Sequence, residues 1–533
     1  METSQAEHLG STIKAVRPRH VGALPLVYPV LDDLQVRSTT NDLMPGQADI
    51  DLGRVVVLLA LNRLLAPRPL YRVDDWLAET VLPELLDIVP GQVYDNRLGR
   101  ALDRLYPYLG ELWARLAGQA VRVYDLDLGV LHWDITSIYF EGAYTDSELA
   151  AYGYSRDHRP DTKQVNLEVD VTHDGYVPVL YQLLPGSTAD ITRPTSHLAA
   201  LLRFLARPEL APRQFRPILV SDSKMVSSEA VLACHRHHLF YLGPLADGTA
   251  TDVLLRSVST KELTGHTLAY RPQRVRTDDP SFSPYQGVWR PFTFEYRGER
   301  VTDRALVLWS AGKQQLDEQK RKTYLKRLLD GLDHIRKQLG SRRYKRRAYV
   351  EQRLASLQQG QPAKSLVDIH LTGEDGDMEL NFQVNPHKLA RARELDGRYA
   401  LATNAGHLDA EQALLLFKGQ DGIEKRFRTT KGPLMVHPLL VHSDQRIEGL
   451  VLVTLLALLV RAILERACRQ RGLALTADRL FQEFGPLQAV DLTWADGSRQ
   501  RLASEMTPFQ AEVLDTLGWP GAEAYASLSP LAR

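Results

Sequence analysis

Cysteine is scarce in this sequence, and both a long apolar run and a net charge are missing. Two cysteines in 533 residues are too few for a disulfide framework or a cysteine zinc site, which predicts a reducing, cytoplasmic environment. The N-terminal stretch METSQAEHLGSTIKAVRPRH holds no apolar core, so no signal peptide is predicted. The apolar run from Leu450 to Val460 is interrupted by Arg461 and falls short of the roughly 18 residues that a membrane span needs. We expect a buried helix there and no membrane partner.

The lack of net charge removes any bulk electrostatic signal for a nucleic-acid partner, but the charges are unevenly spread. Apolar residues make up 44% and charged residues 24% of the chain, as in ordinary soluble proteins. The length predicts roughly three or four domains. Between Lys320 and Arg353 there are thirteen Lys or Arg against three Asp or Glu, with tyrosines interleaved. This run is either a solvated helix face or a surface that follows nucleic-acid phosphates.

Leucines recur at helical spacing through the first part of the chain. They predict an all-helical N-terminal domain over residues 1–122. One segment of this domain also presents three arginines, which are Arg97, Arg100 and Arg104. These residues either dock a helical pair on DNA in the manner of a helix-turn-helix or form the solvated face of a small bundle.

The period changes to that of strands from residue 123 to about residue 245. The stretch GVLHWDITSIYFE, residues 129–141, leads to Asp134, a carboxylate that is costly to bury unless a cation or hydrogen-bond donors meet it. Two strands joined at His173-Asp174-Gly175 follow, then a helix, and then the strand FRPILVSDSK, which carries Asp222 at its end. Both aspartates are therefore expected at strand ends. Helices on a mixed sheet, in an α/β or α+β layer fold, are the natural arrangement.

Three further segments complete the predicted organisation. Residues 246–395 form an insertion of short strands around a long polar helix from Lys313 to about Gln359. The sheet pattern resumes over residues 396–470, with a helical stretch that contains Glu424 and then the buried helix. Residues 471–533 form a tail with a hairpin at Asp496-Gly497, and no function is assigned to it.

Asp134 and Asp222 are the first two members of a candidate metal site. Two carboxylates close together raise each other's pKa unless a cation lies between them, and oxygen ligands suit Mg²⁺ or Mn²⁺. A third carboxylate, from a helix against the sheet, would complete a site for two ions roughly 3.5–4 Å apart. Glu424 is the leading candidate because basic residues surround it. Its rival Glu448 also fits a residue that caps or flanks the apolar helix.

Several polar residues near these acids give weaker signals. His132 precedes Asp134 by two positions, so the two share one side of the strand. Lys224 follows Asp222 and is either a phosphate contact or an ordinary exposed lysine. A polar loop holds five more candidates, which either bind DNA or fix the loop. They are Arg156, Asp157, His158, Arg159 and Asp161.

Three segments resemble the catalytic domain of bacterial insertion-sequence transposases: HWDITSIYFEGAY, YGYSRDHRPDTKQ and SDSKMVSSE. The resemblance is to the DDE enzymes with an RNase H-like fold, in the branch grouped with the fourth insertion-sequence family. That group has a signature of tyrosine, arginine, glutamate and lysine separated by two, three and six residues. Phe417, Gln420, Glu424 and Lys431 have this spacing; the glutamate and lysine match, and the first two positions depart from the signature. The resemblance covers the chain from about residue 52 to residue 464.

The resemblance implies a fold, a reaction and a set of site residues. The fold is an RNase H-like mixed sheet with flanking helices, interrupted by the β-rich and helical insertion. The reaction is cut-and-paste transposition with two Mg²⁺ or Mn²⁺ ions, in which hydrolysis frees a 3′ hydroxyl that attacks target DNA. A hairpin intermediate and a flipped base are also implied. Asp134, Asp222 and Glu424 would be the catalytic and metal-binding residues. The residues expected to contact DNA are Lys431, Arg428, Lys224, Arg156 and Arg159.

Double-stranded DNA, as element ends and as target, is thus the expected partner. We expect a homodimer in the DNA complex, in the cytoplasm and associated with the nucleoid. Two alternatives share the fold. One is a catalytically inactive relative that still binds DNA, and the other is an RNase H-like nuclease that hydrolyses DNA without strand transfer.

Overall fold

A computed structural model describes residues 13–46, 48–156, 159–188, 193–223, 225–271, 283–434 and 441–525. The chain divides into two compact units, one of residues 1–221 and 419–533 and the other of residues 222–418. Each unit combines helices with a sheet, so the fold is of the mixed α/β kind that the sequence predicts. The division falls at positions other than the predicted boundaries at 122, 245, 395 and 470.

The N-terminal part of the first unit is a group of helices that bury their leucines and valines. Their bounds are α1 Leu24–Asp33, α2 Val36–Leu43, α3 Leu52–Leu65, α4 Val73–Ala78, α5 Leu82–Leu86, α6 Asp95–Leu105 and α7 Leu109–Val123. Leu98, Leu102 and Leu105 of α6 are buried, as their helical spacing predicts. Arg100 and Arg104 on the same helix are exposed, which fits both the solvated face and the DNA-docking interpretation.

The prediction that this part is entirely helical is wrong, because β1 (Ile13–His20) is a strand. It pairs antiparallel with β12 (Gln488–Trp494), so that Arg17 lies opposite Asp491. Strand β13 (Arg499–Ala503) completes this three-stranded sheet. A local pattern could not predict β1, because the strand that it pairs with in the sheet, β12, comes from the other end of the sequence.

A mixed sheet of four strands forms the rest of the framework of the first unit. The strands are β2 Val130–Tyr139, β3 Gln164–Thr172, β4 Pro178–Pro185 and β5 Ile218–Val220, in the order β4-β3-β2-β5. Neighbouring pairs are antiparallel except for β2 and β5, which are parallel, with Val130 beside Ile218 and His132 beside Val220. The predicted hairpin at His173-Asp174-Gly175 is confirmed as the turn between β3 and β4.

Strand β2 is longer than predicted, and Asp134 lies in its middle rather than at its end. Thr136 and Ser137, which lie beyond the predicted end of the strand at Asp134, pair with Leu167 and Asn166 on β3. The Ser137 hydroxyl donates a hydrogen bond of 3.1 Å to Asn166 Oδ1. Because a neighbouring strand satisfies it, this polar side chain does not end the strand.

Helices cover both faces of this sheet. Helix α8 (Arg193–Leu205) lies on one face, where His197 stacks on Trp133 with ring centroids 4.8 Å apart. Helix α16 (Asp421–Lys431) packs against the other face of β2. On that second face Trp113 of α7 also meets Tyr181 of β4, edge to face. Because successive side chains of a strand point to opposite faces of the sheet, Trp133 and Asp134 lie in two different environments.

Helix α17 (Asp444–Gln470) runs through the core of the first unit. By length and composition this helix could cross a membrane, but 94% of its most apolar 18-residue stretch is buried inside the protein. Its polar side chains have partners: Arg461 pairs with Asp478, and Thr454 donates to the Leu450 carbonyl at 2.8 Å. The predicted buried helix is confirmed, although the helix is longer than the apolar run that predicts it. Two short helices follow, α18 (Ala477–Phe484) and α19 (Pro508–Leu517).

The C-terminal hairpin predicted at Asp496-Gly497 is confirmed as the connection from β12 to β13. Gly497 has a φ of 85°, in the left-handed region that a glycine adopts without steric cost. The tail is therefore part of the first unit, through the pairing of β12 with β1.

The second unit is built on a four-stranded antiparallel sheet, in the order β6-β11-β8-β7. Its elements are α9 Ser228–Arg236, β6 Phe240–Pro244, α10 Thr249–Arg256, α11 Thr260–Thr264, β7 Gln286–Tyr296, β8 Glu299–Trp309, α12 Ala311–Gln338, α13 Arg347–Gln358, β9 Val367–Glu374, β10 Asp377–Val384, α14 Pro386–Arg393, β11 Arg398–Thr403 and α15 Ala410–Lys418. The insertion strands β7 and β8 thus join a sheet with β11, rather than forming a separate body.

The basic segment is a helical hairpin rather than the single long helix that was predicted. The chain turns at Gly340, with a φ of 79°, between α12 and α13. Leu328, Leu332 and Val350 of the two helices pack in a small core that also contains Val367 and Leu380. Part of the charge is neutralised locally, because Asp333 pairs with both Arg336 and Lys337. Four cations of the turn are exposed: Arg342, Arg343, Lys345 and Arg346.

Candidate active site

Asp134 is half-buried on the face of the first unit's sheet that α16 covers. Its strand neighbour opposite on β3 is Val169. Its Oδ1 accepts a hydrogen bond of 2.7 Å from the backbone N–H of Ile135. His132, two positions earlier, points to the same side of β2 and is completely buried. The carboxylate therefore belongs to a polar patch in an otherwise apolar sheet.

Helix α16 is attached to this patch by the residue that precedes it. Gln420 Nε2 donates to the carbonyl of Trp133 at 2.9 Å, and Gln420 Oε1 lies 3.0 Å from His132 Nδ1. Glu424 follows Gln420 by four positions, about one helical turn, and its side chain is exposed. The structure thus brings the helix of Glu424 onto the sheet face that carries Asp134, within one unit.

A small aromatic cluster lies beside this attachment. His132 Nε2 is 2.9 Å from His173 Nδ1, and the ring of Tyr176 lies 5.7 Å from that of His132. Burial lowers the pKa of His132 to about 4, and burial also lowers the pKa of His173. Both rings are therefore neutral near pH 7, as hydrogen-bonded members of the core. His132 is a candidate from the sequence, but its two partners, His173 and Tyr176 in the turn sequence HDGY, are not.

A buried arginine holds α16 from its other side. Arg426 donates to the carbonyls of Gly175 and Tyr176, at 2.6 and 3.0 Å, and pairs with Glu465 of α17 at 2.7 Å. Its guanidinium is counted among the surrounding basic residues in the sequence, but here it is a structural group and faces inward. Gly422 allows the Tyr176 ring to lie directly on the helix, because any side chain there would overlap the ring.

Asp222 follows the end of β5 by two residues, as predicted, and belongs to the second unit. Among the described residues, no three His, Cys, Asp or Glu side chains are grouped closely enough to hold a metal ion. Glu448, the rival for the third acid, is half-buried within α17, in the flanking position expected for it. Burial, and then the charge of Asp444, raise the pKa of Glu448.

The candidate DNA contacts differ in their surroundings. Arg156 Nη1 donates to Ser137 Oγ and Asn166 Oδ1, at 3.1 and 3.3 Å, which ties the polar loop to β2 and β3. Arg159 pairs with Asp161 at 3.1 Å and lies over the Tyr139 ring. On α16, Arg428 is exposed and Lys431 is half-buried. The other loop and strand-end candidates, Asp157, His158 and Lys224, lie outside the described residues.

The opposite face of β2 holds a buried charged group that the sequence analysis missed. Glu168 and Asp170 of β3 are each 1% exposed. Glu168 accepts from Trp133 Nε1 at 3.0 Å and pairs with Arg193 of α8 at 3.0 Å. His197 Nε2 lies 3.1 Å from Asp170 Oδ1. Alternate carboxylates within an apolar strand were a readable signal, because they incur the same burial cost that drew attention to Asp134.

Burial by itself lowers the pKa of His197, but the adjacent Asp170 and Glu168 outweigh it and hold the pKa above its ordinary value. His197 thus lies against the second buried carboxylate, Asp170, as Arg193 pairs with the first, Glu168.

A cavity of about 860 Å³ in the first unit lies apart from these residues. Described residues that line it include Arg63, Arg68, Tyr71, His442 and Arg446, whereas Asp134 and Glu424 are not among them.

Comparisons with known proteins add the following. A family model described as a domain of unknown function, DUF4277, matches residues 16–117, which span most of β1 and the helices up to α7. No curated protein matches the chain. It is similar to the piggyBac transposase in a synaptic complex with hairpin DNA, with 7% identity and a TM-score of 0.38, over 88% of this chain and 82% of that one. It is also similar to the Mos1 transposase in a paired-end complex with the left transposon end, with 17% identity and a TM-score of 0.16, over 36% of this chain and 59% of that one.

Proposed function

We propose that the protein is a DNA transposase of the DDE type, which cleaves DNA at the ends of its own element and joins them to target DNA. The observation that carries the proposal is the attachment of α16 to β2. Through Gln420, the helix that bears Glu424 is bonded to the two residues that directly precede Asp134. The helix of Glu424 thereby packs on the sheet face that carries Asp134, although the two acids are 290 positions apart in the sequence.

The strand register supports Asp222 as the second acid. Val130 pairs with Ile218 and His132 with Val220, an offset of 88 positions. Asp134 and Asp222 are separated by the same 88 positions in the sequence. The mixed sheet, with helices on both faces, supports the RNase H-like fold that the sequence resemblance implies.

Asp134, Asp222 and Glu424 would supply only oxygen ligands, and such donors fit Mg²⁺ or Mn²⁺. A bound ion supplies a more acidic water and stabilises negative charge on phosphate oxygens. The described residues contain no ready group of three ligands, so metal binding is part of what the experiment tests.

The proposed reaction consists of two exchanges at phosphorus. In the first, a water oxygen bonds to the phosphorus at the element's end, and the bond from phosphorus to the 3′ oxygen breaks to leave a hydroxyl. In the second, that hydroxyl oxygen bonds to a target phosphorus and displaces the 3′ oxygen of the target strand. Neither step requires a serine or tyrosine nucleophile. Lys431, two helical turns after Glu424, would hold a phosphate near the scissile bond, with Arg428 beside it.

The test is incubation of the purified protein with labelled element ends and Mg²⁺. Short inverted repeats that flank the gene identify those ends. Cleavage followed by strand joining is the expected result. Cleavage without joining would favour the nuclease alternative, and binding without cleavage would favour the inactive relative.

Two matched variants test the third acid. Glu424→Gln should abolish cleavage while DNA binding persists, because only one carboxylate charge is removed from an exposed position. Glu448→Gln makes the same chemical change on α17 and should leave cleavage intact. The reverse pattern would transfer the role from Glu424 to Glu448.

A further inference from the structure

Gln420 occupies one of the two positions at which this sequence departs from the family signature. Its backbone precedes the first turn of α16, yet its side chain does not cap the helix. Both ends of the amide are used against β2 instead, at 2.9 Å to the Trp133 carbonyl and 3.0 Å to His132 Nδ1. An amide is the side chain that can donate and accept at once in this way.

The Trp133 carbonyl fixes the hydrogen-bond polarity of this contact. That carbonyl can only accept, so Gln420 Nε2 must face it, and Oε1 then faces His132. His132 Nδ1 must therefore carry a proton. In a neutral ring its Nε2 is then an acceptor, and His173 Nδ1, 2.9 Å away, is the donor. Gln420, His132 and His173 form one directed chain of hydrogen bonds from the helix to the hairpin turn.

The same hairpin turn is tied back to α16. Arg426 donates to the carbonyls of Gly175 and Tyr176, and the Tyr176 ring covers Gly422. The beginning of α16 is thus held to β2 by Gln420, and its middle is held to the turn by Arg426. Glu424 lies between these two attachments along the helix. The rotation and height of its side chain over β2 follow from them.

From this geometry we infer that Gln420 is a positioning residue, which sets Glu424 relative to Asp134 through its bonds to His132 and Trp133. The inference rests on the proposed function for its catalytic consequence. It assigns Gln420 an inward role on the protein's own sheet, rather than a contact with DNA.

The test compares Gln420→Met, which keeps the side-chain length but removes both hydrogen bonds, with the exposed control Gln482→Met. Hydrogen–deuterium exchange of the α16 peptide, residues 421–431, is the first measurement. Loss of both attachments should speed exchange there by about 10-fold or more, because local opening becomes easier. The control should leave it unchanged. Unchanged exchange in Gln420→Met overturns the inference, whatever the activity.

The second measurement is single-turnover cleavage of a labelled element end, together with DNA affinity. Gln420→Met should cleave about 10–100-fold more slowly, as expected for loss of a group that orients catalytic ligands. Its DNA affinity should equal that of the unmodified protein. Weakened DNA binding with an unchanged cleavage rate would overturn the inference and make Gln420 a DNA contact.

Gln420→Glu guards against a variant that does not fold. It keeps an oxygen for His132 but offers the Trp133 carbonyl no donor, so both measurements should change in the same direction as for Gln420→Met. If the unmodified protein does not cleave element ends, the proposed function fails. The exchange measurement then still decides whether Gln420 holds α16.

Discussion

Gly422→Ala is the most revealing single change in the first unit, because it adds one methyl group at the contact between α16 and the hairpin turn. A Cβ at this position would overlap carbon atoms of the Tyr176 ring. The ring cannot easily withdraw, since Arg426 holds the Tyr176 carbonyl at 3.0 Å and the residue already has a φ of 52°. Either the helix or the turn must therefore move.

The expected loss of stability is the difference of two effects. Overpacking of a filled core costs about 1–3 kcal/mol. Replacing glycine by alanine in a helix stabilises the folded state by about 0.4–1 kcal/mol, because it lowers the conformational entropy of the unfolded chain. Because the added methyl would overlap ring atoms directly, the cost lies in the upper half of the overpacking range, and we expect Gly422→Ala to lower the free energy of unfolding by about 1–2.5 kcal/mol. Gly110→Ala on α7 is the matched control, since no atom lies within 4 Å of its added methyl, and it should be neutral or slightly stabilising.

Urea unfolding, followed by tryptophan fluorescence and by far-ultraviolet circular dichroism, measures the change if the two transitions coincide. A double-mutant cycle with Tyr176→Ala identifies the cause. Without the ring, the added methyl should cost little or nothing. The reasoning is refuted if Gly422→Ala is as stable as the unmodified protein, or if its cost persists in the Tyr176→Ala background.

Three further predictions concern charged groups. Arg426→Met should lower the free energy of unfolding in urea by about 3–5 kcal/mol, because it removes the partner of Glu465 and of two carbonyls. The control Arg428→Met, at an exposed position, should change the free energy of unfolding by about 0.5 kcal/mol or less. Arg207 and Arg115 lower the pKa of Glu111 from its ordinary value near 4.5 to about 2. The contribution of Glu111 to stability is therefore present above pH 4.5 and is lost as the pH falls towards 2. The difference in Tm between the unmodified protein and Glu111→Gln should shrink over that range, and a constant difference would contradict this. The pH dependence that His197 contributes runs in the opposite direction, because its pKa is raised in the folded protein. The stabilisation from His197 is complete below its ordinary pKa of about 6.5 and is lost as the pH rises through the raised pKa. The Tm should therefore fall from about pH 6 to 9 less steeply in His197→Gln/Asp170→Asn than in the unmodified protein.

Much of the fold could be predicted from local pattern. The helix of Glu424, the hairpin at His173-Asp174-Gly175 and the buried helix α17 all lie where their sequences indicate. Each of these depends on a period, a cap or a turn residue within about 20 neighbouring positions. The predictions are wrong where pairing with a sequence-distant strand determines the secondary structure. Strand β1 exists because β12 pairs with it, and β2 continues past Asp134 because β3 satisfies Ser137.

The candidate site divides in the same way. By itself the sequence marked Asp134 and Asp222 as carboxylates beside apolar strands, where an unpaired buried charge is costly, and the resemblance supplied the proposed chemistry. It did not single out Glu168 and Asp170, which are more deeply buried. Only the tertiary structure decided which residues hold the elements that carry Asp134 and Glu424. In it, Gln420 and Arg426 face inward, His132 is hydrogen-bonded to His173, and the Tyr176 ring packs on Gly422. These contacts join residues more than 40 positions apart, and no local pattern records a hydrogen bond whose two ends meet only after the sheet and its helices have packed.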